Sequence, residues 1–256
     1  MLLEVNGLTK NFGGLSAVSN VSMKVNKGEL IGLIGPNGAG NTTFFNLFTG
    51  VYEPTEGTVC LEVDGQLKNL NGLPPYKRTS LGMARTFQNI RLFKDLTVLE
   101  NVMIAMHAHS SDSLFSTLFR TKKYYDTEAK MREEAVELLK IFNLDTLKDE
   151  KAKNLAYGQQ RELEIVRALA TKPKILFLDE PAAGMNPQET AQLTELIAKI
   201  QAEFDLTVVL IEHDMSLVMK ICQRIYVLEY GRLLAEGTPE EIKQNPAVIK
   251  AYLGGE

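Results

Sequence analysis

Apolar and polar residues alternate along the first third of the chain, as they do in β-strands with one buried face. The segments LLEVNGL, AVSNVSMKV, ELIGLIG and TVCLEVDG are rich in β-branched and apolar residues and end at Gly, Asn or Asp turn residues. ELIGLIG leads directly into the glycine-rich stretch GPNGAGN, and TTFFNLFTG then has the spacing of a short helix. This region therefore predicts strands, one of which is joined to a helix by a glycine loop.

Apolar residues in the middle third recur at helical spacing instead. TVLENVMIAMH begins with a Thr that suits a helix cap, and DTEAKMREEAVELLKIFNL places its apolar residues on one face. The segment between them, SSDSLFSTLFRTKKYY (residues 110–125), is predicted to be a variable helical insertion. We therefore expect a helical subdomain over about residues 89–159.

The α/β pattern resumes in the last third. KILFLDEP and LTVVLIEH have the unbroken apolar runs of buried parallel strands, and PQETAQLTELIAKIQAEF between them is an amphipathic helix. A strand pair, RIYVLEYG and RLLAEG, precedes two short helices that start at Pro239 and Pro246. The predicted fold class is α/β. It is a single domain with an N-terminal antiparallel β portion and a P-loop core at residues 1–88 and 160–256, into which the helical subdomain is inserted.

Composition and charge narrow the possible functions. The chain has 256 residues, 45% of them hydrophobic and 23% charged, which suits one large globular domain. The net charge of −4 provides no basic field for nucleic acid. Cys60 and Cys222 form no metal or disulfide pattern and are expected to be isolated thiols.

The chain shows no pattern typical of membrane insertion. MLLEVNGLTKNFGG lacks the basic and then apolar order of a signal peptide. The longest apolar runs, such as IYVL, VVLI and ILFL, are far shorter than the ~20 residues that a membrane helix needs. We therefore expect that, if the protein serves a membrane, it does so from the cytoplasmic side.

The stretch GPNGAGNTT has the composition of a phosphate-binding loop, and it comprises Gly35, Pro36, Asn37, Gly38, Ala39, Gly40, Asn41, Thr42 and Thr43. Glycines allow main-chain N–H groups to close around phosphate oxygens, and the following helix directs its positive end at them. Thr42 is placed to bind Mg²⁺. The full pattern requires a lysine where this chain has Asn41, so a simple glycine turn between a strand and a helix remains the alternative.

Two acids, Asp179 and Glu180, follow the buried strand ILFL. A carboxylate at the end of such a strand is costly unless it holds a cation or accepts a hydrogen bond. Asp179 suits a partner of Mg²⁺ reached through water, and Glu180 suits a general base for an attacking water. Such a pair is often only a helix cap or a turn, but its occurrence together with the glycine loop favours the catalytic interpretation.

The stretch NLAYGQQRELEIVRALATKPKILFLDEPAAGMNP resembles an ABC transporter ATPase, and the resemblance covers essentially the whole chain. RTFQNIRLFKDLTVLENV, EPAAGMNPQET and AVIKAYLG resemble one subgroup more narrowly. That subgroup contains the cytoplasmic ATP-binding subunits of bacterial branched-chain amino acid importers.

The resemblance implies roles for several residues. Phe12 matches the aromatic residue that stacks on adenine, although a lone aromatic is more often part of a core. Gln88 matches a glutamine that senses Mg²⁺ and the γ-phosphate, and His213 matches the switch histidine that holds the γ-phosphate and positions Glu180. AAGMN, which ends at Asn186, matches the loop that crosses the dimer interface in the family. His107 and His109 are expected to be solvated.

The segment LAYGQ matches the signature sequence of the family, and it consists of Leu155, Ala156, Tyr157, Gly158 and Gln159. The resemblance implies that Gly158 begins a helix whose N-terminal amides face the γ-phosphate bound on a second subunit. Ala156 stands where the wider family has serine, so that hydroxyl contact is absent.

The resemblance also implies the activity, which is conversion of ATP and water to ADP and phosphate. Glu180 would be the base and His213 the switch, and Thr42, Gln88 and Asp179 would surround Mg²⁺. The implied partners are a second ATPase subunit, identical or paralogous, transmembrane permease subunits and, indirectly, a solute-binding protein, with no nucleic acid. The chain would be peripheral on the inner face of the cell membrane and would drive import of branched-chain amino acids.

Asn41 departs from this pattern. Asn is neutral, and its amide nitrogen falls about 2.5 Å short of a lysine nitrogen at ordinary bond lengths. A charge-assisted hydrogen bond contributes roughly 1.5–3 kcal/mol. We therefore expect weak ATP binding and turnover at least ~10²-fold slower than in an Asn41→Lys variant. Folding is expected to be spared because position 41 should lie on an exposed loop.

Other functions remain open. The chain could be a non-hydrolysing, nucleotide-dependent regulatory clamp in which the missing lysine is native. It could be the ATPase of a lipopolysaccharide exporter, which is similar in size and motifs. ABC proteins of DNA repair or translation usually join two cassettes or insert long coiled coils, and this chain has neither.

Overall fold

The computed structural model describes residues 1–107 and 122–253. The chain divides into two compact units, one formed by Met1–Arg85 with Lys174–Glu256 and the other by Thr86–Pro173. The helical insertion predicted for residues 110–125 lies mostly outside the described residues, as does His109.

Two β-sheets form the framework of the first unit. Its strands in chain order are Leu3–Phe12 (β1), Leu15–Val25 (β2), Leu30–Ile34 (β3), Glu56–Val63 (β4), Gln66–Asn69 (β5), Met83–Arg85 (β6), Ile175–Asp179 (β7), Thr207–Ile211 (β8), Arg224–Glu229 (β9) and Arg232–Gly237 (β10). The smaller sheet has the order β2-β1-β4-β5, and its strand pairs are all antiparallel. This sheet confirms the predicted N-terminal antiparallel portion.

The larger sheet has the order β10-β9-β3-β8-β7-β6. All its neighbours are parallel except the edge strand β10, which pairs antiparallel with β9. Every residue of β3, β7 and β8 is buried, as their unbroken apolar runs predicted. Because these three strands are parallel neighbours, their carboxyl ends lie side by side at one edge of the sheet, where α/β proteins bind ligands.

Five helices of the first unit join the strands or follow them, and a sixth ends the described chain. They are Asn41–Phe48 (α1), Pro75–Ser80 (α2), Pro187–Glu203 (α6), Met215–Ile221 (α7), Pro239–Gln244 (α8) and Pro246–Leu253 (α9). The helices predicted to start at Pro239 and Pro246 are thereby confirmed.

The buried face of α1 is aromatic. Phe44 and Phe48 stand four residues apart, and their ring centroids are separated by 5.2 Å. Phe45 and Phe48 also pack on Phe177 of β7, at 5.6 and 5.1 Å between centroids. Burying a Phe side chain stabilises a fold by about 1.5–3 kcal/mol. These contacts fix α1, and with it the glycine loop that precedes it, on the sheet.

The second unit is helical among its described residues. Its helices are Val98–Met106 (α3), Lys122–Ile141 (α4) and Tyr157–Ala170 (α5), with short 3-10 turns at Asp145–Leu147 and Ala152–Asn154. The predicted cap at Thr97 is confirmed, since its hydroxyl accepts from the Glu100 N–H at 3.1 Å and the Glu100 carboxylate accepts from the Thr97 N–H at 2.8 Å. Helix α5 crosses the position 159/160 at which we divided core from subdomain on sequence grounds.

Candidate nucleotide-binding site

The glycine loop occupies the carboxyl end of β3 and leads into α1. The Ala39 N–H donates to the Pro36 carbonyl at 3.0 Å, and the Ala39 carbonyl accepts from the Gly231 N–H at 2.8 Å. Gly40 has a φ of 98°, and a Cβ at this position would lie 2.6 Å from the Ala17 carbonyl oxygen. Only glycine adopts this φ without strain and also leaves room for the Ala17 carbonyl, because it has no Cβ. The glycine loop therefore packs closely against the main chain at Ala17 and at Gly231.

A pocket of about 460 Å³ opens on the loop, and its walls are Leu15, Ser16, Ala17, residues 36–43, His213, Tyr230 and Gly231. Of the nine predicted loop residues, all except Gly35 line it. The first amides of α1 have no carbonyl four residues earlier within the helix, and the positive end of the helix dipole lies there. The structure therefore brings together the elements of a phosphate-binding site.

Asn41 does not lie on an exposed loop, so that expectation was wrong. It is the first residue of α1 and is only 7% exposed. With its amide oriented to satisfy both neighbours, the nitrogen donates to the Ile34 carbonyl at 3.2 Å and the oxygen accepts from the Gly35 N–H at 3.1 Å. The side chain is short enough to turn back on the base of the loop, which sequence spacing does not reveal.

Asp179 ends β7 and is 4% exposed. Its Oδ2 accepts from the Arg85 guanidinium at 2.8 Å. Arg85 also donates to the Asn46 side chain at 2.7 Å and the Thr49 hydroxyl at 2.8 Å, both on or next to α1. The acid expected to face a cation is thus tied through one arginine to the helix that follows the loop. Arg85 was missed in the sequence because nothing there marks it as a partner of Asp179.

Glu180 and His213 meet at the ends of adjacent strands. The His213 Nε2 lies 3.2 Å from the Glu180 Oε1, and the Glu180 N–H donates to the Ile211 carbonyl at 2.9 Å. Glu180 has a φ of 47°, a left-handed conformation that is uncommon for a residue with a side chain. The two predicted residues therefore form a pair, and His213 is also in the wall of the pocket.

Phe12 is not among the residues that line the pocket. Phe12 is 43% exposed, and its ring packs edge-on against Tyr52 at 5.4 Å between centroids, with the Lys10 Nζ 5.1 Å from the Phe12 centroid. Tyr230 does line the pocket and is 83% exposed. Sequence reasoning missed Tyr230, because a lone Tyr in a turn carries no distinguishing pattern.

Gln88 and the signature residues 155–159 lie in the second unit. Two buried charged residues of α5 hold the segment that contains Gln88. The Arg161 guanidinium donates to the main-chain carbonyls of Phe87 at 2.9 Å and Gln88 at 2.5 Å. Glu164 accepts from the N–H groups of Phe87 at 3.4 Å and Arg91 at 3.3 Å. Sequence reasoning missed both residues.

The start of α5 has its own internal bonds. The Gln159 side chain accepts from the Ala156 N–H at 3.1 Å, and the Tyr157 hydroxyl accepts from Arg161 at 2.9 Å. Leu155 is buried, whereas Ala156 and Tyr157 are exposed. The helix begins at Tyr157, so Gly158 is in its first turn.

Asn186 and His107 complete the account of the predicted residues. Asn186 caps α6, since its side chain accepts from the N–H groups of Gln188 at 3.0 Å and Glu189 at 2.9 Å. His107 follows α3 and is exposed, as expected.

A glycine loop between a central parallel strand and a helix, beside acids at the end of a neighbouring strand, defines a P-loop nucleotide-binding protein. The chain belongs to the ABC transporter family, whose model matches residues 18–183. A second model, for the branched-chain amino acid ATP-binding cassette transporter, matches residues 232–256. The chain is therefore an ABC transporter ATPase, which confirms the family and the fold class predicted from the sequence.

Relatives of nearly the same length support this assignment. The chain is 51% identical to the high-affinity branched-chain amino acid transport ATP-binding protein BraF of Pseudomonas aeruginosa, over 99% of this chain and 98% of that protein. It is 49% identical to the corresponding protein LivG of Escherichia coli, with the same coverage. Among solved structures, the ADP conformation of MJ1267, an ATP-binding cassette of an ABC transporter, matches with a TM-score of 0.84 at 33% identity, covering 100% of this chain and 99% of that one.

Within residues 1–107 and 122–253, none of the helices combines the length and the apolar character needed to cross a bilayer.

Proposed function

We propose that the chain is the ATP-hydrolysing subunit of an importer for branched-chain amino acids. The observation that carries the hydrolytic part is the contact of 3.2 Å between Glu180 and His213, because His213 also lines the pocket at the glycine loop. The transported solute is proposed because BraF and LivG, which match nearly the full chain, are named as branched-chain amino acid transport proteins.

In the proposed mechanism the loop amides and the start of α1 bind the phosphates of ATP. Glu180 accepts a proton from the attacking water, and its partner His213 keeps the carboxylate oriented and contacts the terminal phosphate. Phe12 is the proposed contact for adenine. Its place beside Tyr52, outside the walls of the phosphate pocket, leaves it available for a more distant part of the nucleotide.

Thr42 and Asp179 fit a Mg²⁺ ion, which would neutralise charge on the phosphate oxygens when bound. Their hydroxyl and carboxylate oxygens are the ligands that Mg²⁺ prefers. A buried carboxylate is costly without a positive partner. Asp179 has such a partner in Arg85, which bonds to its Oδ2, so the carboxylate is held charged at the place where the ion would bind. The role of Gln88 as a sensor, and that of residues 155–159 toward a second subunit, stay predictions.

The proposed partners are a second ATPase subunit and the permease subunits of the importer, with a solute-binding protein acting indirectly. The proposal includes a position for the chain on the cytoplasmic face of the membrane. Two steps test it. The chain is first pulled down from its native membrane, and the co-purified complex is then reconstituted and assayed for ATP-dependent uptake of radiolabelled leucine, isoleucine and valine. Uptake of an unrelated solute, or capture with lipopolysaccharide-export subunits, would contradict the proposal.

A non-hydrolysing clamp is the second candidate, because one observation favours it. Asn41 has no positive charge, and its side chain is engaged at the base of the loop through Ile34 and Gly35. A chain of this kind would bind nucleotide and close without turnover. An ATPase assay on the chain and on its Asn41→Lys variant separates the two. Slow turnover by the unmodified chain that rises in the variant supports the ATP-hydrolysing subunit, whereas nucleotide binding without any turnover in the unmodified chain supports the clamp.

A further inference from the structure

Glu212 is a buried acid that the proposed mechanism does not use. It follows β8 directly, precedes His213 and is 4% exposed. Its Oε1 accepts from the Ala182 N–H at 2.7 Å. Its Oε2 accepts from the N–H groups of His213 at 3.0 Å and Asp214 at 3.4 Å. One side chain therefore binds main chain on two separate loops.

The two loops carry the two members of the reactive pair. Ala182 lies two residues after Glu180, in a turn closed by the bond from the Ala183 N–H to the Glu180 carbonyl at 3.1 Å. His213 is held by its own main-chain N–H on Glu212. The Glu180 N–H also bonds directly to the Ile211 carbonyl at 2.9 Å, so the Glu212 carboxylate is a second link between the two loops, placed beyond the last paired residues of β7 and β8.

The chemistry of the contact requires two acceptor oxygens. Three main-chain N–H groups point at the Glu212 carboxylate, and a carboxylate can accept all three at once. Glutamine has the same length, but its NH₂ group would face N–H donors on one of the two loops. Aspartate keeps both oxygens but is one methylene shorter, so it can serve the nearby amides after β8 and cannot reach Ala182 as well. Burial and the negative charge of Glu180 raise the pKa of Glu212.

We propose that Glu212 is a positioning residue for hydrolysis: by bridging the loops after β7 and β8 it holds His213 in register with Glu180. It touches neither nucleotide nor water in this role. The proposal rests on the proposed hydrolytic function of this site. This bridging role differs from a purely local one. In the local role Glu212 would stabilise only the turn after β8, and the position of the loop after β7 would not depend on Glu212.

Kinetics provide the first test, with Glu212→Gln and Glu212→Asp placed in the Asn41→Lys background. We expect both to lower kcat by about 10- to 100-fold, since small misplacement of reacting groups costs rates of this order. KM for MgATP should change less than about twofold, because the phosphate-binding loop is untouched. Glu241→Gln is the matched control, since Glu241 also accepts a main-chain N–H, from Thr238 at 2.7 Å, but lies on α8.

A second readout does not need turnover. In the unmodified, nucleotide-free chain, the ¹H–¹³C cross-peak of the His213 imidazole should move in both Glu212 variants, while those of His107 and His109 stay in place. The three peaks are assigned with His213→Gln and His107→Gln. If Glu212→Gln does not fold, Glu212→Asp carries both tests.

The outcomes separate the two proposals. A kcat within twofold of the parent in Glu212→Asp, a loss expressed only in KM, or an unmoved His213 peak overturns the positioning role. A moved His213 peak in a chain whose Asn41→Lys form hydrolyses no ATP overturns the proposed hydrolytic function and leaves the bridge between the two loops standing.

Discussion

The Arg161 guanidinium donates a hydrogen bond to the main-chain carbonyl of Gln88. A buried cation of α5 therefore holds the segment that contains the proposed phosphate sensor. Arg161 is 4% exposed and also lies 3.7 Å from Glu164, which is 6% exposed. An arginine in this place replaces hydrogen bonds that an irregular segment cannot make for itself.

Replacement of Arg161 by Met should therefore destabilise the protein. The change removes the Arg161 bonds to two main-chain carbonyls and the positive charge beside Glu164, which keeps only its main-chain N–H partners. Loss of one member of a buried pair costs about 3–5 kcal/mol. The measurement is urea unfolding followed by circular dichroism. Lys140→Met is the control, because Lys140 pairs with Glu137 on an exposed face of α4. Equal midpoints for the two variants would show that the contact contributes nothing.

Asn41→Lys should raise ATP turnover by at least ~10²-fold. The same change removes the bonds to Ile34 and Gly35, which contribute about 0.5–1.5 kcal/mol each. We therefore expect the variant to be less stable than the parent without nucleotide and more strongly stabilised by MgATP. Rates at saturating ATP and thermal midpoints with and without MgATP measure both effects.

Asn37→Lys is the matched control for this experiment. Asn37 also lines the pocket, so the variant adds the same charge at another position of the loop. If Asn37→Lys accelerated turnover as much as Asn41→Lys, general attraction of phosphate would explain the gain and the geometry at position 41 would not matter.

Glu180→Gln in the Asn41→Lys background should bind ATP and stop turnover. Glutamine keeps the shape of the side chain and its contact with His213, but it cannot accept a proton from water. Bound nucleotide should accumulate as ATP in a closed dimer, which gel filtration and analysis of the trapped nucleotide detect. Hydrolysis at the rate of the Asn41→Lys parent would remove Glu180 from its role as base.

The fold was largely predictable from the sequence, because strands buried on both faces show unbroken apolar runs and glycines mark the loop between β3 and α1. The proximity of Glu180 and His213 was implied by the family resemblance, and the parallel pairing of β7 with β8, which the sequence did not predict, accounts for it. The course of the Asn41 side chain was not predictable, since it depends on the distance back to Ile34 in the folded loop. Arg161 and Glu164 were missed because charged residues on an amphipathic helix normally face water.

The stability contributed by Glu164 should depend on pH. Burial raises its pKa above the ordinary value of 4.5, so in the window above 4.5 the folded protein holds a proton that the unfolded chain has released. The free energy of unfolding of the parent, relative to that of Glu164→Gln, should therefore fall as pH rises through this window. Urea unfolding of both proteins at several pH values measures the difference. A difference that grows with pH would contradict the sign.

The two cysteines should react at different rates. Burial raises the pKa of the Cys222 thiol to about 12, and this side chain packs under β3, whereas Cys60 is partly exposed on β4. Because the thiolate is the reactive form, iodoacetamide should label Cys60 in the folded protein and Cys222 only after unfolding. Mass spectrometry of the peptides checks this, and early labelling of Cys222 would contradict it.

The contacts of Gly231 make the assembly of the glycine loop depend on a residue that is synthesised late. Its N–H binds the Ala39 carbonyl and its own carbonyl accepts from the Ser19 N–H at 2.7 Å, so a residue made late holds two segments made early. Both neighbours of β3 in the sheet, β8 and β9, also leave the ribosome late. A nascent chain therefore carries its glycine loop without a scaffold through most of translation. The glycine loop therefore acquires its main-chain contacts with Gly231 and its neighbouring strands only when the last third of the chain has emerged.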